Sequence, residues 1–574
     1  MKTKASLLSG AAILVGCTLW AAGPADAAVK HHKSEKANPN AGLAAEVQAL
    51  KEQVQALTAT VQQQQAQVQA STARADEASA QAQAAQAKLD DQIQRIPDTV
   101  KTEVAAQPAP TLDKLKYKGV SVQLGGFLAA EGIYRNKNIA SDISSSFAKI
   151  PFENAPLSRS DETRFTARQS RLSFLAQGDI NKVTHVAMYG EFDFQGAAQT
   201  ANSNESNSYN PRIRNLYGTI DWDYYGWHVL AGQNWSLVTL NSKGITPRNE
   251  VPPPSIDAQY VPGFAWARQP QLRVTKDFAD KSVWLAASLE NPQSTFAGTA
   301  GNQLPTGVSV IDLATGNTTI NGAPAVGAAF SGFNSVNTSS LNRIPDVIVK
   351  AAWEPYIGLT RPLHVEAFGI YRSFYDTITV TSANTQGLTP GTRTSDVSGA
   401  GFGAGVTYTV VPKLLDVQAS MMSGKGIGRY GSSQLPDATL KPDGEIAPIQ
   451  ETMFLAGATL HATPNLDLYL FGGKERANDE ANRLGNTFYG FGNLSGAAFT
   501  AAGCTTVGGS CSATVRQVSQ ITAGLWDKAY TGSFGQVRLG LQYSHTMLDG
   551  FSGGGYTPHT SADMVFTSFR YYPF

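Results

Sequence analysis

Long apolar runs are missing from almost the whole of this 574-residue chain. After the first 27 residues no stretch reaches the roughly 18 apolar residues that a membrane-spanning helix needs. Charge is also scarce, since only 16% of residues are charged, and 45 basic residues balance 45 acidic ones. Nucleic-acid binding needs a basic excess that displaces counterions from phosphates. We therefore exclude a helical membrane protein and a nucleic-acid binder.

Cysteine and catalytic motifs are equally sparse. Cys17 lies near the N-terminus, whereas Cys504 and Cys511 bracket a short Gly-rich segment. In an exported protein such a pair predicts a disulfide, and no neighbouring His or Cys favours a metal site instead. None of the eight histidines stands in a Gly-x-Ser-x-Gly elbow or a His-Glu-x-x-His pair. We expect no enzyme, cofactor or metal, and keep an outer-membrane hydrolase as the less favoured alternative.

The N-terminus carries the pattern of a secretory signal. Lys2 and Lys4 precede an apolar run over 7–20, and small residues end in Ala-Asp-Ala at 25–27. This order of charge, apolar stretch and cleavage site predicts a signal peptide over 1–27 and export from the cytoplasm. A second interpretation is a lipoprotein site, which would leave Cys17 lipidated.

Residues 41–96 show a heptad pattern, between a flexible N-terminus at 28–40 and a Pro-containing linker at 97–117. Gln64 and Ser71 interrupt the seam. The pattern predicts an α-helical coiled coil, with a weakly helical or disordered Gln/Ala-rich spacer as the alternative. The residue types in the seam favour a two-helix coiled coil in isolation, whereas a trimeric barrel would impose three helices. The seam consists of Val47, Leu50, Val54, Leu57, Val61, Val68, Ala75, Ala78, Ala82, Ala85 and Leu89.

From 118 to 574 the apolar period changes to two. Leu539 and Leu541, for example, alternate with Arg538 and Gln542. One apolar and one polar face suit a barrel with lipid outside and water inside. The joins between strands alternate strictly between long and short, which separates this interpretation from a soluble sandwich. We predict an all-β transmembrane barrel of about sixteen antiparallel strands near 118–134, 162–178, 183–196, 211–223, 226–238, 263–278, 281–291, 345–356, 361–377, 398–410, 413–424, 450–462, 465–477, 514–527, 532–547 and 561–574.

The last residues point the same way. The chain ends in the aromatic-rich segment from Phe569 to Phe574. It resembles the closing strand that porin assembly machinery recognises, and its rings suit an interfacial girdle. Pro573 lies close to the strand end, where it costs little ladder bonding.

Five stretches of the first half resemble one family. They are RQSRLSF at 168–174, YGEFDF at 189–194, RIRNLYG at 212–218, AGQNW at 231–235 and RQPQLR at 268–273. In order and spacing, together with the preceding coiled coil, they resemble the DcaP-like (dicarboxylic-acid) porins. The second half matches only as generic porin strands. The resemblance implies a homotrimer of sixteen-stranded pores with a trimeric periplasmic stalk and passive uptake of small, often anionic solutes.

Arginines cluster on alternate strands of this first half. Guanidinium groups stay charged and bind carboxylates in a fork, so such a cluster predicts a basic, anion-selecting pore wall. Glu191 and Asp193 share one face of an intervening strand and are expected to pair with that wall. The alternative places several arginines at the rim or trimer interface, and Arg168 and Arg171 differ in parity, so both face the lumen only across a bulge. The predicted wall is Arg164, Arg168, Arg171, Arg212, Arg214, Arg268 and Arg273.

The third long loop carries three prolines at 252–254. By resemblance to trimeric porins it folds inward and narrows the channel, stiffened by its prolines. Arg248, Glu250 and Asp257 are then the constriction candidates. A solvent-exposed loop is the alternative.

These features predict an outer-membrane porin with its coiled coil in the periplasm. It would let small hydrophilic, anionic, dicarboxylate-like solutes diffuse through. Expected partners are two further copies of the chain, outer-membrane lipid or lipopolysaccharide, and peptidoglycan through the coiled coil. The alternative is a barrel that tethers the envelope and conducts only incidentally.

Overall fold

A computed structural model describes residues 115–196, 210–297, 304–305, 307–310, 342–357, 360–381, 388–492, 501–553 and 555–574. The chain divides into two units, Met1–Pro110 and Thr111–Phe574. In the first unit, only six single residues between 51 and 69 are described, each helical and exposed. The predicted signal, Cys17, the heptad seam and most of the linker lie outside the described residues, so those predictions stay open. In the described part of the chain, no helix is long and apolar enough to cross a membrane.

Twenty-three strands make up the second unit. In chain order they are β1 Leu115–Tyr117, β2 Val120–Arg135, β3 Glu162–Thr166, β4 Arg171–Asn181, β5 Thr184–Asp193, β6 Arg212–Trp222, β7 Trp227–Trp235, β8 Arg268–Phe278, β9 Val283–Glu290, β10 Val308–Val310, β11 Asp346–Trp353, β12 Leu363–Val380, β13 Gly391–Val411, β14 Leu415–Lys425, β15 Ala438–Leu440, β16 Ile446–Pro448, β17 Gln450–His461, β18 Leu466–Ala477, β19 Glu480–Leu484, β20 Thr487–Phe491, β21 Val515–Gly532, β22 Gly535–Gly550 and β23 His559–Tyr572.

The main sheet closes on itself into a sixteen-stranded barrel. Strand β2 pairs antiparallel with the last strand, β23, and on its other side with β3 and β4. Strands β3 and β4 share one position, and β1 and β10 only extend the edges of the closed sheet. Every pairing between these strands is antiparallel, so the predicted antiparallel barrel of sixteen strands is confirmed. The sixteen positions are β2, β3 with β4, β5, β6, β7, β8, β9, β11, β12, β13, β14, β17, β18, β21, β22 and β23.

Side-chain alternation explains why these segments form barrel strands. On β22, Leu539 and Leu541 are 44% and 47% exposed on the outer face, whereas Gln542 and Ser544 are buried inside. A strand with this pattern is stable only with an apolar medium on one side and polar groups on the other. Exposed aromatic residues at the rim of short turns complete the outer surface, as at Trp227.

The two rims differ as the sequence predicts. Short turns such as 182–183 and 533–534 join strands at one rim, and long loops join them at the other. The long loops hold four 3-10 turns, Phe147–Lys149, Pro156–Arg159, Gly428–Tyr430 and Ala502–Thr505, and the small hairpins β15–β16 and β19–β20. The 501–512 segment contains the Cys504–Cys511 disulfide.

Two of the departures from the predicted strand boundaries have a clear local cause. The strand expected over 162–178 is broken after Thr166 by a turn in which Ser170 N–H donates to Ala167 O. The strand expected from 263 begins at Arg268, because the residues before it belong to the third loop and bond to another loop instead.

Candidate functional site

The third loop, residues 236–267 between β7 and β8, crosses the barrel interior. Ile256 N–H donates to Gln542 Oε1 at 2.5 Å, and Gly263 N–H donates to Glu475 Oε1 at 2.7 Å. The acceptor residues belong to β22 and β18, which are the fifteenth and thirteenth strand positions of the barrel. The third loop itself connects the fifth and sixth positions, β7 and β8. Because it is bonded to the far wall, the loop crosses the interior, and cavities remain beside it that residues of β4, β5, β6 and β8 line in part.

A second loop supports the third. In the sixth loop, residues 426–449, the carbonyl of Tyr430 accepts from Trp266 N–H at 2.7 Å, and the carbonyl of Ser432 accepts from Gln259 Nε2 at 2.8 Å. Arg372 on β12 fixes the sixth loop through Asp437, at 2.8 Å. Nothing in the periodicity of the sixth loop predicts that it folds inward.

Two cavities remain beside the third loop. The outer cavity, of about 320 Å³, lies among the first, third and sixth loops and reaches Arg168, Arg212 and Arg268. The inner cavity, of about 540 Å³, extends towards the short-turn rim. Its charged lining consists of Arg171, Glu191, Arg214, Arg248, Glu250, His461, Asp467, Arg538 and Arg570.

The centre of the predicted basic wall is an ion-pair network. Arg214 contacts both acids of β5: it binds Glu191, and its Nη1 lies 3.0 Å from Asp193 Oδ2. Arg212 Nη2 lies 2.7 Å from the same Asp193 oxygen, and Arg171 Nη1 lies 4.0 Å from Glu191 Oε2. The two carboxylates bind these guanidiniums from the side of the barrel wall. This binding fixes the orientation of the guanidinium N–H groups that do not contact a carboxylate.

Arg268 differs from these arginines. Its guanidinium lies 5.0 Å from the ring centroids of both Trp235 and Trp266. Among the described residues no carboxylate lies within ion-pair distance of it, and its Nη1 is buried without a hydrogen-bond partner. A stacked guanidinium keeps its full charge while its edge stays available for an anion. Of the predicted wall arginines that line a cavity, Arg268 is therefore the one with no acidic partner among the described residues.

The other predicted wall residues are distributed differently. Arg164 lies near the long-loop rim, 3.3 Å from Glu162. Arg168 lies in the turn between β3 and β4 and binds Asp142 at 3.1 Å. Because that turn interrupts the strand, Arg168 and Arg171 both line cavities despite their opposite parity. Arg273 is buried under the third loop, where it donates to Trp235 O at 2.5 Å, and it is not among the residues lining either cavity.

The three loop candidates also separate. Arg248 and Glu250 line the inner cavity, and desolvation by the surrounding protein raises the pKa of Glu250. Asp257 is fully buried instead, and its Oδ1 accepts from Ser145 N–H at 3.1 Å. It joins the third loop to the first and lines neither cavity. Burial raises its pKa.

Several lining residues were missed by the sequence analysis. Arg570 reaches the inner cavity while bound to Glu131 at 2.8 Å, and Arg538 stacks on Tyr572 at 4.6 Å. Both stand on strands whose alternation marks them as inward-facing, and that signal was available. Tyr260 of the third loop carried no such signal, because its position depends on the loop backbone. Among the described residues no group of His, Cys, Asp and Glu side chains is arranged to hold a metal ion.

Comparison with known proteins identifies solved structures that have a similar architecture. No protein-family model matches the chain, and no curated protein matches its sequence. The outer membrane channel DcaP of Acinetobacter baumannii superposes with a TM-score of 0.52, covering 80% of this chain and 99% of that chain at 18% identity. The chain has the fold of a DcaP-like outer-membrane porin. The predicted resemblance to DcaP-like porins is thus confirmed at the level of the fold.

More distant porins cover similar shares. The anion-selective porin from Comamonas acidovorans covers 79% of this chain and 99% of that chain at 11% identity and a TM-score of 0.40. OmpF of Salmonella typhi, solved with daunomycin, covers 80% and 99% at 10% identity and a TM-score of 0.42.

Proposed function

We propose that the chain is an outer-membrane porin through which small hydrophilic anions, dicarboxylates among them, diffuse passively. The observation that carries the proposal is Arg268, a stacked cation with no acidic partner among the described residues, at the outer cavity of the passage. The overall neutrality of the chain does not oppose this, because only the charge facing the passage acts on a solute.

The lining charges of the two cavities favour anions. Five arginines and three carboxylates line the inner cavity. Three arginines and a lysine face a single carboxylate in the outer cavity. In a narrow passage with low-dielectric walls these fixed charges raise the local concentration of anions and lower that of cations.

The geometry gives an anion a series of positions. An entering carboxylate meets Arg212 and Arg268 at the outer cavity, then Arg214 and Arg171 at the inner one. Guanidiniums bind carboxylates through two parallel N–H groups, so each position offers directional binding. Glu191 and Asp193 pair with Arg171, Arg212 and Arg214, which weakens anion binding at these three residues enough for the solute to leave.

The assembly proposed around this pore follows the resemblance. We propose a homotrimer in outer-membrane lipid and lipopolysaccharide, with the coiled coil in the periplasm contacting peptidoglycan, and no enzymatic activity. A tethering barrel without an open passage is the alternative. Mass measurement in detergent, before and after removal of residues 1–110, tests whether the N-terminal unit or the barrel wall holds the trimer.

Two measurements test the function. In planar bilayers the purified protein is expected to give stepwise open-channel currents, whereas a tethering barrel would give none. In liposome swelling assays, succinate is expected to enter faster than a divalent organic cation of similar size. Equal or reversed rates would remove the anion preference from the proposal.

A further inference from the structure

Tyr260 lies where the outer and inner cavities meet. Its two predecessors, Ala258 and Gln259, line the outer cavity, whereas Tyr260 itself lines the inner one. The arginines of the basic wall divide in the same way: Arg268 lines the outer cavity and Arg214 lines the inner one. The linings of the two cavities therefore adjoin at Tyr260 and at these arginines.

The backbone of Tyr260 is strained in a way that fixes its ring. Its φ is +68°, in the left-handed region that a bulky residue rarely adopts. Such a conformation persists only where the surroundings impose it, and it is concentrated at functional sites. Here a turn hydrogen bond from Tyr260 N–H to Asp257 O at 3.1 Å and contacts with three rings impose it. The rings are Trp235, Phe264 and Trp266, at centroid distances of 6.0, 5.3 and 5.2 Å.

Tyr260 lines the same cavity as Arg171 and Arg214, and Arg268 stacks on Trp235 and Trp266, two of the rings that Tyr260 contacts. Burial raises the pKa of the Tyr260 phenol, but the neighbouring guanidiniums outweigh burial, and the pKa lies below its usual value. Because guanidiniums only donate hydrogen bonds, a phenol oxygen beside them acts as an acceptor, which is the role that a carboxylate oxygen of a solute would have.

We propose that Tyr260 is a specificity-determining cap on the basic wall, whose hydroxyl oxygen occupies the position of a solute oxygen until a permeating carboxylate displaces it. This inference rests on the proposed function. It implies that Tyr260 both narrows the junction of the cavities and weakens anion binding there, so that anions enter selectively yet leave.

Two substitutions separate the two effects. Tyr260→Phe keeps the ring and removes the competing oxygen, so succinate should saturate the channel current at a concentration at least about threefold lower than in the wild type, since hydrogen bonds to charged groups are the strong ones. Tyr260→Ala removes the ring as well and should raise single-channel conductance by roughly half, because the passage widens where ions are most confined.

The control is Tyr543→Phe. Tyr543 lies on the outer face of β22, where it is 49% exposed and lines neither cavity, and its hydroxyl bonds Asp563 at 2.6 Å. Heat-modifiable mobility on gels verifies that each barrel has folded. Unchanged half-saturation in Tyr260→Phe together with unchanged conductance in Tyr260→Ala would overturn the inference. If the wild type still prefers anions, only the cap is rejected; a wild type without anion preference rejects the proposed function itself.

Discussion

Charged side chains on two sides of this barrel differ in whether they reach the cavities. Arg171 on β4, Arg212 and Arg214 on β6, and Arg268 on β8 reach the cavities. On β17 and β18, Glu451 and Glu475 also point inward but are fully buried under the third and sixth loops. Glu475 accepts from Gly263 and Ser433 N–H groups, and both carboxylate oxygens of Glu451 lack a hydrogen bond. Facing inward therefore does not mean facing the solute, because the loops decide which charges the lumen contains.

The same contrast occurs within one strand. Arg268 and Arg273 both stand on β8, yet Arg268 lines the outer cavity and Arg273 is covered by the third loop. Because they are five positions apart, a regular two-residue alternation would place them on opposite faces of the strand. Their consequences for permeation are expected to differ sharply.

The largest effect is expected from Arg268→Gln. One charge at about 4 Å in water changes an ion's energy by about 1 kcal/mol, so the anion-to-cation permeability ratio should fall roughly fivefold. Reversal potentials under a salt gradient measure it. Arg273→Gln is the matched control and should leave the ratio nearly unchanged; an equal loss in both variants would show that the loop does not shield Arg273.

Releasing the third loop from the far wall is the next largest change. Glu475→Ala removes the acceptor of two buried backbone N–H groups, which destabilises the loop attachment by about 1–3 kcal/mol. We expect higher and noisier single-channel conductance. Glu475→Gln keeps one acceptor oxygen and should show a smaller rise. Quiet, wild-type currents in the Ala variant would indicate that other contacts hold the loop.

A smaller effect should follow from the titration of Glu250. Burial raises its pKa, so it takes up a proton at a higher pH than an exposed carboxyl would. Protonation removes one negative charge from the inner cavity, and anion preference should therefore increase as pH falls from about 7 towards 5. Glu250→Gln should carry the increased preference at neutral pH and lose that part of the pH dependence. If its pH profile matches the wild type, other groups cause the effect.

The smallest effect is expected from the disulfide. The Cys504–Cys511 segment contacts the first loop through Asn154 N–H, which donates to Cys504 O at 3.1 Å, and neither cysteine lines a cavity. Replacing both cysteines by Ser should change conductance by less than about a fifth, since the bridge constrains only a short loop. Limited proteolysis of the outer loops should nevertheless speed up. A large change in conductance would place this segment in the pore.

The sequence predicts the barrel far better than the site. Period-two alternation and join lengths identify all sixteen positions, because membrane and water impose the pattern on every strand. Loops lack such a period. The burial of Asp257 between loops, the covering of Arg273 and the left-handed backbone of Tyr260 all depend on long-range contacts that no local pattern encodes. The third loop was accessible only through family resemblance, and the sixth through neither route.

Reversal potential in a planar bilayer, under a tenfold gradient of potassium chloride, tests the central claim most directly. The basic passage predicts a potential whose sign shows that chloride is more permeant than potassium, and a clear reduction of that potential in Arg268→Gln. A potential of the opposite sign in the wild type, showing potassium to be the more permeant ion, would contradict the account.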